Sequence, residues 1–339
     1  MIRLLFLISL TTLLFGENVR VASYNVENLF DLKYDNREYV EYIPNTSWQW
    51  NIKNQTKKLN NISKVIADIN PDIIGLQEIE SLQALKDLKK NLQAHGLYYK
   101  YYSFANAKNT TIKVALLSRY PIIYSKELWV TSSRKYRNIL EVKLNINGQD
   151  LYIFNNHWKA KSGPESKRIV SAKILKKRLD TLGHDKAIII MGDLNSHYEE
   201  YLLFKKKRRH NDTRGKTGIN HTLKTLHKNQ AVSLKALLAC NKCLYNLWYD
   251  AKSSKRWTHS YKGSKETLDN IIISKGLIDN KGIEYIQGSI NRFDPKYLIK
   301  YNKPYRWQRS RNYPKRHVGK GYSDHFAIYA DFKTTNTNQ

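Results

Sequence analysis

The sequence has little sulfur and few acidic side chains. Its 339 residues include 2 cysteines, 2 methionines and 29 acidic residues against 58 basic ones. Cys240 and Cys243 are separated by two residues. A zinc site would need two more ligands, and none stands at the usual spacing. In an exported protein the pair would close a small disulfide loop, with free thiols as the alternative.

Long hydrophobic runs are also missing after the N-terminal segment. No later stretch approaches the roughly 18 apolar residues that span a bilayer. The segment 1–16 carries Arg3 and then an apolar run that ends before Glu17, which is the layout of a secretory signal. We expect this signal peptide to direct export to the periplasm or the extracellular space. Leu14 stands where a smaller residue is preferred, so an uncleaved N-terminal anchor, the one membrane contact considered, is the alternative.

The shortage of acidic residues leaves a formal net charge of +29. So large an imbalance creates self-repulsion in a folded chain, which a polyanionic partner relieves. Nucleic acid, an anionic lipid surface and an acidic polysaccharide all satisfy this condition.

The most informative stretch present is Ile188–Asn195. Four apolar residues and Gly192 indicate a short strand, buried on both faces, that stops at a glycine. Asp193 and Asn195 follow two residues apart, so an extended backbone points both side chains to the same side. They are either a polar turn or part of a functional site, and the rest of the chain must decide.

Strand and helix patterns alternate along the chain and predict an α/β architecture. The predicted helices are Gln55–Ile69, a helix from the stretch Ser162–Glu165, with Pro164 in its first turn, to about Leu182, and Thr222–Ala239. The predicted strands are Val19–Tyr24, Asp72–Gln77, Tyr98–Phe104, Lys113–Leu117, Pro121–Val130, Asn138–Ile146, Leu151–Phe154 and Phe326–Phe332, with Arg256–His259 and Thr267–Ser274 as a pair.

Two segments are basic. We expect Tyr198–Thr222, which holds Lys205–His210, to be an exposed loop that either grips phosphate or is merely solvated. Asn291–Tyr322 interleaves arginines and lysines with tyrosines. Basic side chains follow phosphates and aromatic rings stack on bases, so this mixture favours nucleic acid over a membrane, with a tyrosine-rich surface loop as the alternative.

Polar residues recur next to predicted strands, which indicates one shared rim. Glu78 and Asp324 are oxygen ligands that suit Mg²⁺. Histidines beside carboxylates can move protons near neutral pH. The rim residues are Asn25, Glu78, His157, Asp193, Asn195, Asp269, Asp324 and His325.

These motifs together resemble the endonuclease/exonuclease/phosphatase superfamily. The resemblance implies one domain at 17–333 with the DNase I-like four-layer α/β sandwich of two packed mixed sheets flanked by helices. The sequence itself predicts a disordered tail at 334–339. Asn156–Ser166 resembles extracellular bacterial nucleases, which often carry a histidine where Asn270 stands. The matching stretches are Ser23–Asn28, Ile74–Glu78, Asn156–His157, Gly192–Asn195, Leu268–Asn270 and Ser323–His325.

The resemblance also implies roles for the rim residues. Glu78 would bind a catalytic Mg²⁺, with Mn²⁺ or Ca²⁺ as alternatives, and Asn25 and Asp324 would complete or support its site. His157 and His325, the latter oriented by Asp269, would be the acid and base around an in-line water attack on phosphorus. Asp193 would position or deprotonate the water, and Asn195 would hold a phosphate oxygen.

The function expected from this combination is a secreted, metal-dependent, non-specific endonuclease that hydrolyses DNA, with RNA as a further substrate. It would act as a monomer without a stable protein partner. The alternatives are a phosphatase or phospholipase of the same fold and an inactive DNA-binding or toxin subunit. The side chains assigned to substrate binding are Lys159, Lys161, Arg306, Trp307, Arg309 and Arg311.

Overall fold

The computed structural model describes residues 16–106, 110–204 and 209–335. The signal peptide expected at 1–16 therefore lies, except for its last residue, outside the described residues. The same is true of 205–208 in the basic run and of 336–339 in the expected tail. Across the described part of the chain, no helix has the length and apolar character needed to cross a membrane.

Nineteen strands are numbered here in chain order. They are β1 (Asn18–Leu29), β2 (Ile73–Ile79), β3 (Tyr101–Phe104), β4 (Lys113–Ser118), β5 (Ile122–Leu128), β6 (Ile139–Ile146), β7 (Gln149–His157), β8 (Ile188–Asp193), β9 (Leu226–His227), β10 (Gln230–Ala231), β11 (Tyr245–Asn246), β12 (His259–Tyr261), β13 (Ser264–Glu266), β14 (Asp269–Ile273), β15 (Ile283–Tyr285), β16 (Asn291–Phe293), β17 (Ile299–Lys300), β18 (Lys303–Pro304) and β19 (Ala327–Thr334).

Thirteen of these strands form two mixed sheets. The first sheet has seven strands in the order β15-β19-β1-β2-β4-β3, with β16 also paired to β19. The second has six strands in the order β11-β14-β8-β7-β6-β5. The pairs β1/β2 and β7/β8 are parallel, so the carboxyl ends of each pair meet at one edge of their sheet.

The helices are α1 (Ile52–Ile69), α2 (Leu82–Ala94), α3 (Glu165–Leu182), α4 (Glu200–Leu203) and α5 (Leu234–Ala239). Asn51 and Ser81 cap α1 and α2 by accepting the backbone N–H groups of Asn54 and Ala84. A π-helical turn, Gly218–Thr222, lies against α3. An added Cβ at Gly218 would lie 3.2 Å from Cβ of Ala172, so the two elements approach closely at this glycine.

Three apolar clusters arrange the elements in four layers. One cluster joins the facing sides of the two sheets and includes Val21, Val114, Val142 and Ile189. The outer face of the first sheet packs on α1 and α2, and the outer face of the second packs on α3. The predicted DNase I-like sandwich is confirmed.

Two predictions of secondary structure differ from the structure. Only Leu234–Ala239 is helical within the predicted helix at 222–239, where β9 and β10 form a hairpin. The predicted pair of Arg256–His259 with Thr267–Ser274 is right in its turn, Lys262–Gly263, and wrong in the bounds of its strands, because β12 pairs with β13. β14 joins the second sheet beside β8.

Two further predictions also need correction, the exposure of the loop at 198–222 and the disorder of the tail at 334–339. Within the predicted loop 198–222, Glu200 and Gly218–Asn220 are buried. At the C-terminus, Thr334 belongs to β19, and its hydroxyl accepts the backbone N–H of Glu17 at 2.9 Å. The domain therefore continues past residue 333.

Candidate active site

The second sheet places three predicted site residues side by side. His157 ends β7, Asp193 ends β8 and Asp269 begins β14. In the strand register, Asp193 is the Cα partner of both His157 and Asp269. Asp193 therefore lies between a histidine and a carboxylate, and backbone hydrogen bonding fixes all three.

Gly192 allows β7 and β8 to approach closely enough for His157 and Asp193 to lie side by side. Its φ is 123°, and an added Cβ would lie 2.1 Å from the carbonyl oxygen of Asn156 on the neighbouring strand. A side chain at this position would push β7 and β8 apart. The glycine that ends the apolar run therefore sets the spacing between His157 and Asp193.

The first sheet contributes Asn25 and Glu78. The pairing of β1 and β2 shifts register after Asn25 and Gln77, and Glu78 takes a left-handed backbone with φ 67°. This irregularity turns the Glu78 side chain toward the second sheet. Nδ2 of Asn25 donates to Oε1 of Glu78 at 3.2 Å and to Oδ2 of Asp193 at 3.1 Å. Asn25 thus bridges the polar ends of the two sheets.

His325 completes the constellation from the segment before β19. The Ser323 hydroxyl donates to the carbonyl of Asn25 at 2.6 Å and accepts the backbone N–H of His325 at 3.1 Å. Nδ1 of His325 lies 2.7 Å from Oδ2 of Asp269, and Nε2 lies 4.0 Å from Oδ2 of Asp193. The expected orientation of His325 by Asp269 agrees with this geometry.

The two site histidines differ in their charge. Burial, then the charges of Arg137 and His325, lower the pKa of His157 well below its usual value. Burial would also lower the pKa of His325, but the charge and hydrogen bond of Asp269, helped by Asp193 and Asp324, raise it well above its usual value. At neutral pH the site holds a neutral imidazole and an imidazolium.

Asp193 is placed to exchange a proton near neutral pH. Its pKa is raised to about 7, first by burial, which the positive charge of His325 partly offsets while Asp269 adds to it. Nε2 of His157 lies 3.5 Å from Oδ2 of Asp193. The backbone N–H of Asn195 donates to the other oxygen of Asp193 at 2.9 Å. A carboxylate with this environment suits a general base.

The donor chemistry of Glu78 and Asp324 fits a divalent cation. Burial and then the charge of Asp324 raise the pKa of Glu78. Two mutually repelling carboxylates in a buried site are stabilised by a cation that takes oxygen ligands, as Mg²⁺ does. Asn25 turns its Nδ2 toward the carboxylates while its Oδ1 accepts the backbone N–H of Glu27 at 3.1 Å, so it supports the site as a donor.

A cationic group that the sequence analysis missed also faces the site. Arg137 precedes β6, lines the cavity and donates to the carbonyl of Trp158 at 3.3 Å. Burial, then the charges of Arg137 and neighbouring lysines, lower the pKa of Lys159. Cations that crowd together in this way favour an anion between them. Arg137 stands immediately before the predicted strand Asn138–Ile146, a position that the sequence analysis did not use as a signal.

The cavity beside these residues has a volume of about 760 Å³. The hairpin β12–β13 and the segment 160–162 form its walls, and Arg209 and His210 lie at its rim. Lys161 is held by ion pairs with Glu200, at 2.6 Å, and with Glu266. These pairs reduce the positive charge that Lys161 presents to a substrate.

The residues predicted to bind substrate in the Arg/Tyr segment do not lie together in the cavity. Arg306 pairs with Glu27 at 2.6 Å and lies 3.6 Å from Asp324. Arg309 pairs with Glu41, and Arg311 is exposed on the surface. Trp307 is only 4% exposed, so its predicted stacking on a substrate base is wrong. It packs instead in an aromatic cluster with Phe30, Tyr42 and Trp50.

The structure also shows what the cysteine pair and Asn270 bind. A disulfide joins Cys240 to Cys243. Asn270, which replaces a histidine common in similar nucleases, is fully buried. Its Nδ2 donates to the carbonyls of Ser196, Thr267 and Leu268, so it fastens the segment after Asp193 to the segment before Asp269.

The comparison with protein families decides the assignment. The profile of the Endonuclease/Exonuclease/phosphatase family matches residues 20–334. The chain belongs to this family. The predicted fold and the family resemblance inferred from the motifs are therefore confirmed. The chain has the fold of a phosphoesterase family.

Individual members of the family are distant in sequence. Human tyrosyl-DNA phosphodiesterase 2 is 23% identical over 154 residues, which cover 43% of this chain and 40% of the human protein. A humanized TDP2 from D. rerio is 14% identical with a TM-score of 0.58, over 93% of this chain and 98% of that one.

A mannosyl-6-phosphatase from Bacteroides thetaiotaomicron has a similar structure. It is 15% identical with a TM-score of 0.52, over 93% of this chain and 99% of that one. At such identities the likeness extends to the fold, and substrate must be argued from the site.

Proposed function

We propose that this protein is an exported, divalent-metal-dependent phosphodiesterase that hydrolyses DNA without sequence preference. The observation that carries the proposal is the position of Asp193. Its Oδ2 lies 3.1 Å from Nδ2 of Asn25, 3.5 Å from Nε2 of His157 and 4.0 Å from Nε2 of His325. A base, a neutral imidazole and an imidazolium thus converge in a cavity bordered by Arg137.

In the proposed mechanism, Asp193 orients a water molecule and accepts its proton during in-line attack on phosphorus. The His325 imidazolium, held by Asp269, donates a proton to the leaving oxygen. Asn195 and His157 hold a nonbridging phosphate oxygen in the transition state, and one such donor is worth roughly 10² to 10³ in rate. A divalent cation on Glu78 and Asp324, when bound, neutralises the charge of the phosphate oxygens.

Charge outside the cavity supports DNA as the substrate. The net charge is +29, and Arg311 and Lys315 are exposed on the same segment as Tyr301 and Tyr313, which are 83% and 95% exposed. Phosphate contacts give affinity without sequence information, and exposed rings stack on unpaired bases. A structurally similar TDP2 from D. rerio was solved with a single-stranded DNA product.

The cavity beside the site favours a second candidate, a phosphomonoesterase with a small substrate. Its walls can surround a compact group next to the scissile phosphate, and the mannosyl-6-phosphatase shares the fold.

A substrate panel separates these functions. Supercoiled plasmid, single-stranded DNA, RNA and mannose 6-phosphate would each be incubated with the protein and Mg²⁺, alongside Asp193→Asn. We expect both DNA substrates to be cleaved and the variant to lose at least about 100-fold in rate. Release of inorganic phosphate from the sugar phosphate without DNA cleavage would overturn the proposal in favour of the phosphomonoesterase.

A further inference from the structure

A third histidine, His259, lies directly against His325. The two residues form an antiparallel backbone bridge, and their ring centroids are 4.7 Å apart with an interplanar angle of 39°. The adjacent backbone N–H of Phe326 donates to the carbonyl of Thr258 at 2.9 Å, which fixes this contact. His259 begins β12, and the sequence analysis did not include it among the rim residues although it ends the predicted strand Arg256–His259.

His259, Asp324 and His325 can converge on one ion. One ligand atom from each residue lies within 4.8 Å of the other two, so small side-chain rotations bring them to a common centre. Two imidazoles and one carboxylate are a donor set typical of Zn²⁺ and other transition metals, whereas Mg²⁺ prefers oxygen ligands alone. We propose that these three residues form a transition-metal site that shares Asp324 with the Mg²⁺ site at Glu78 and adds two imidazole ligands to it.

The local hydrogen bonds orient the ligands for this site. Nδ1 of His325 is held by Asp269, so Nε2 is the nitrogen directed at the ion, in the carboxylate-histidine arrangement that supports many metal ligands. Oδ2 of Asp324 faces Arg306 at 3.6 Å, while Oδ1 lies 4.0 Å from Nε2 of His325.

The site has a functional consequence, which rests on the proposed function. A transition metal bound here would occupy Nε2 of His325, the atom that donates the proton, and would draw Asp324 away from Glu78. Zn²⁺ should therefore inhibit cleavage in the presence of Mg²⁺. The proposed role of the site is inhibition by transition metals.

Direct binding tests the site without relying on activity. The full protein would be titrated with Co²⁺ in the absence of Mg²⁺, and visible absorption and thermal unfolding would be measured. We expect one Co²⁺ per chain, with a rise in the unfolding temperature. Loss of a residue that only hydrogen-bonds to a metal ligand costs about 10- to 100-fold in metal affinity. His259→Gln removes a ligand itself, so it should weaken Co²⁺ binding at least about 100-fold.

A matched control is available in another histidine. His227 lies 3.8 Å from Sγ of Cys240 and belongs to the other described cluster that contains a histidine, but its cysteines are joined in a disulfide. His227→Gln should bind Co²⁺ like the unmodified protein. Equal binding by the unmodified protein and His259→Gln would overturn the proposed site, as would no binding by the unmodified protein. His259→Asn, checked by circular dichroism, guards against misfolding of a single variant.

Inhibition is measured as the Zn²⁺ concentration that halves plasmid cleavage, with each protein compared with its own zinc-free rate. We expect this concentration to rise at least about 100-fold in His259→Gln, in proportion to the loss in affinity. An unchanged value would show that Zn²⁺ acts elsewhere and would overturn the inhibitory role. Co²⁺ binding without cleavage of any DNA would reject the proposed function and leave the metal site standing.

Discussion

Nδ1 of His325 lies 2.7 Å from Oδ2 of Asp269, and the Asp269 side chain is fully buried. Within the described part of the chain, the other carboxylate oxygen of Asp269 has no hydrogen-bond partner. The carboxylate therefore acts mainly on one imidazole, whose orientation and positive charge it maintains. This pair links the second sheet to the segment that precedes the last strand.

Replacing Asp269 with Asn keeps the size of the side chain and removes its charge. We expect Asp269→Asn to lower kcat for DNA cleavage at least about 100-fold, because His325 loses the group that holds it protonated. Steady-state kinetics with plasmid would measure the effect. Asp150→Asn, which changes an exposed carboxylate paired with Lys143, should keep normal kcat. A similar kcat in both variants would refute the role of Asp269.

Arg137→Ala tests the cation that faces the site. We expect kcat/KM for DNA to fall about 100-fold, since the phosphate loses a charge-assisted hydrogen-bond donor in a site shielded from solvent. The slope of log affinity for DNA against log salt concentration should also decrease, by about the amount that one phosphate contact contributes. Binding by fluorescence anisotropy across a salt series would measure this slope. An unchanged slope and rate would exclude Arg137 from substrate contact.

Arg168→Met tests a buried ion pair beneath the loop that carries Lys159. Nε of Arg168 donates to Glu165 at 2.7 Å, and both side chains are fully buried. Removing one partner leaves a buried charge, so we expect the free energy of unfolding to fall by about 3–5 kcal/mol. Urea denaturation would measure it. Lys176→Met, on the same helix but paired with Asp180 at the surface, should cost less than about 1 kcal/mol.

His317 makes stability depend on pH. Trp307 donates its indole N–H to Nδ1 of His317 at 2.7 Å, so protonation there would bring two donors together. The pKa of His317 is lowered from 6.5 to about 4, first by burial. Between these values the unfolded chain binds a proton that the folded chain does not. The contribution of His317 to the free energy of unfolding is therefore fully present above pH 6.5 and is lost as the pH falls toward 4.

The variant His317→Gln should reduce this pH dependence. One fewer proton is linked to unfolding, so the slope of the unfolding free energy should decrease by up to about 1.4 kcal/mol per pH unit. Urea denaturation at several pH values between 7.5 and 4.5, spaced at roughly half-unit steps, would give the slope. A slope equal to that of the unmodified protein would contradict the assignment.

The sequence predicted the central strands well because their apolar runs and terminal glycine act locally. It failed where tertiary contacts decide the structure. Thr222–Ala239 has helical spacing, yet Leu226–His227 and Gln230–Ala231 form a hairpin across Lys228 and Asn229, which both take a left-handed backbone. Conversely, the sequence analysis does not predict α2. Ser81 as N-cap and the spacing of Leu85, Leu88 and Leu92 are nevertheless typical of a capped amphipathic helix.

The site could be predicted only in part for a related reason. Residues at strand ends were found because the strand pattern points to them. Arg137 and His259 reach the site through loop and hairpin geometry, which sequence spacing does not report. Trp307 lies in a basic, tyrosine-rich segment, but an aromatic cluster and His317 bury it. Composition alone cannot separate a buried aromatic residue from one that contacts substrate.

Nicking of supercoiled plasmid by the purified protein tests the central claim most directly. The reaction would be run with Mg²⁺ and with a chelator, beside an identical preparation of His325→Ala. We predict nicking that requires the metal and that falls about 10²- to 10⁴-fold in the variant. Intact plasmid with every divalent metal tested, or equal nicking by His325→Ala, would contradict the account.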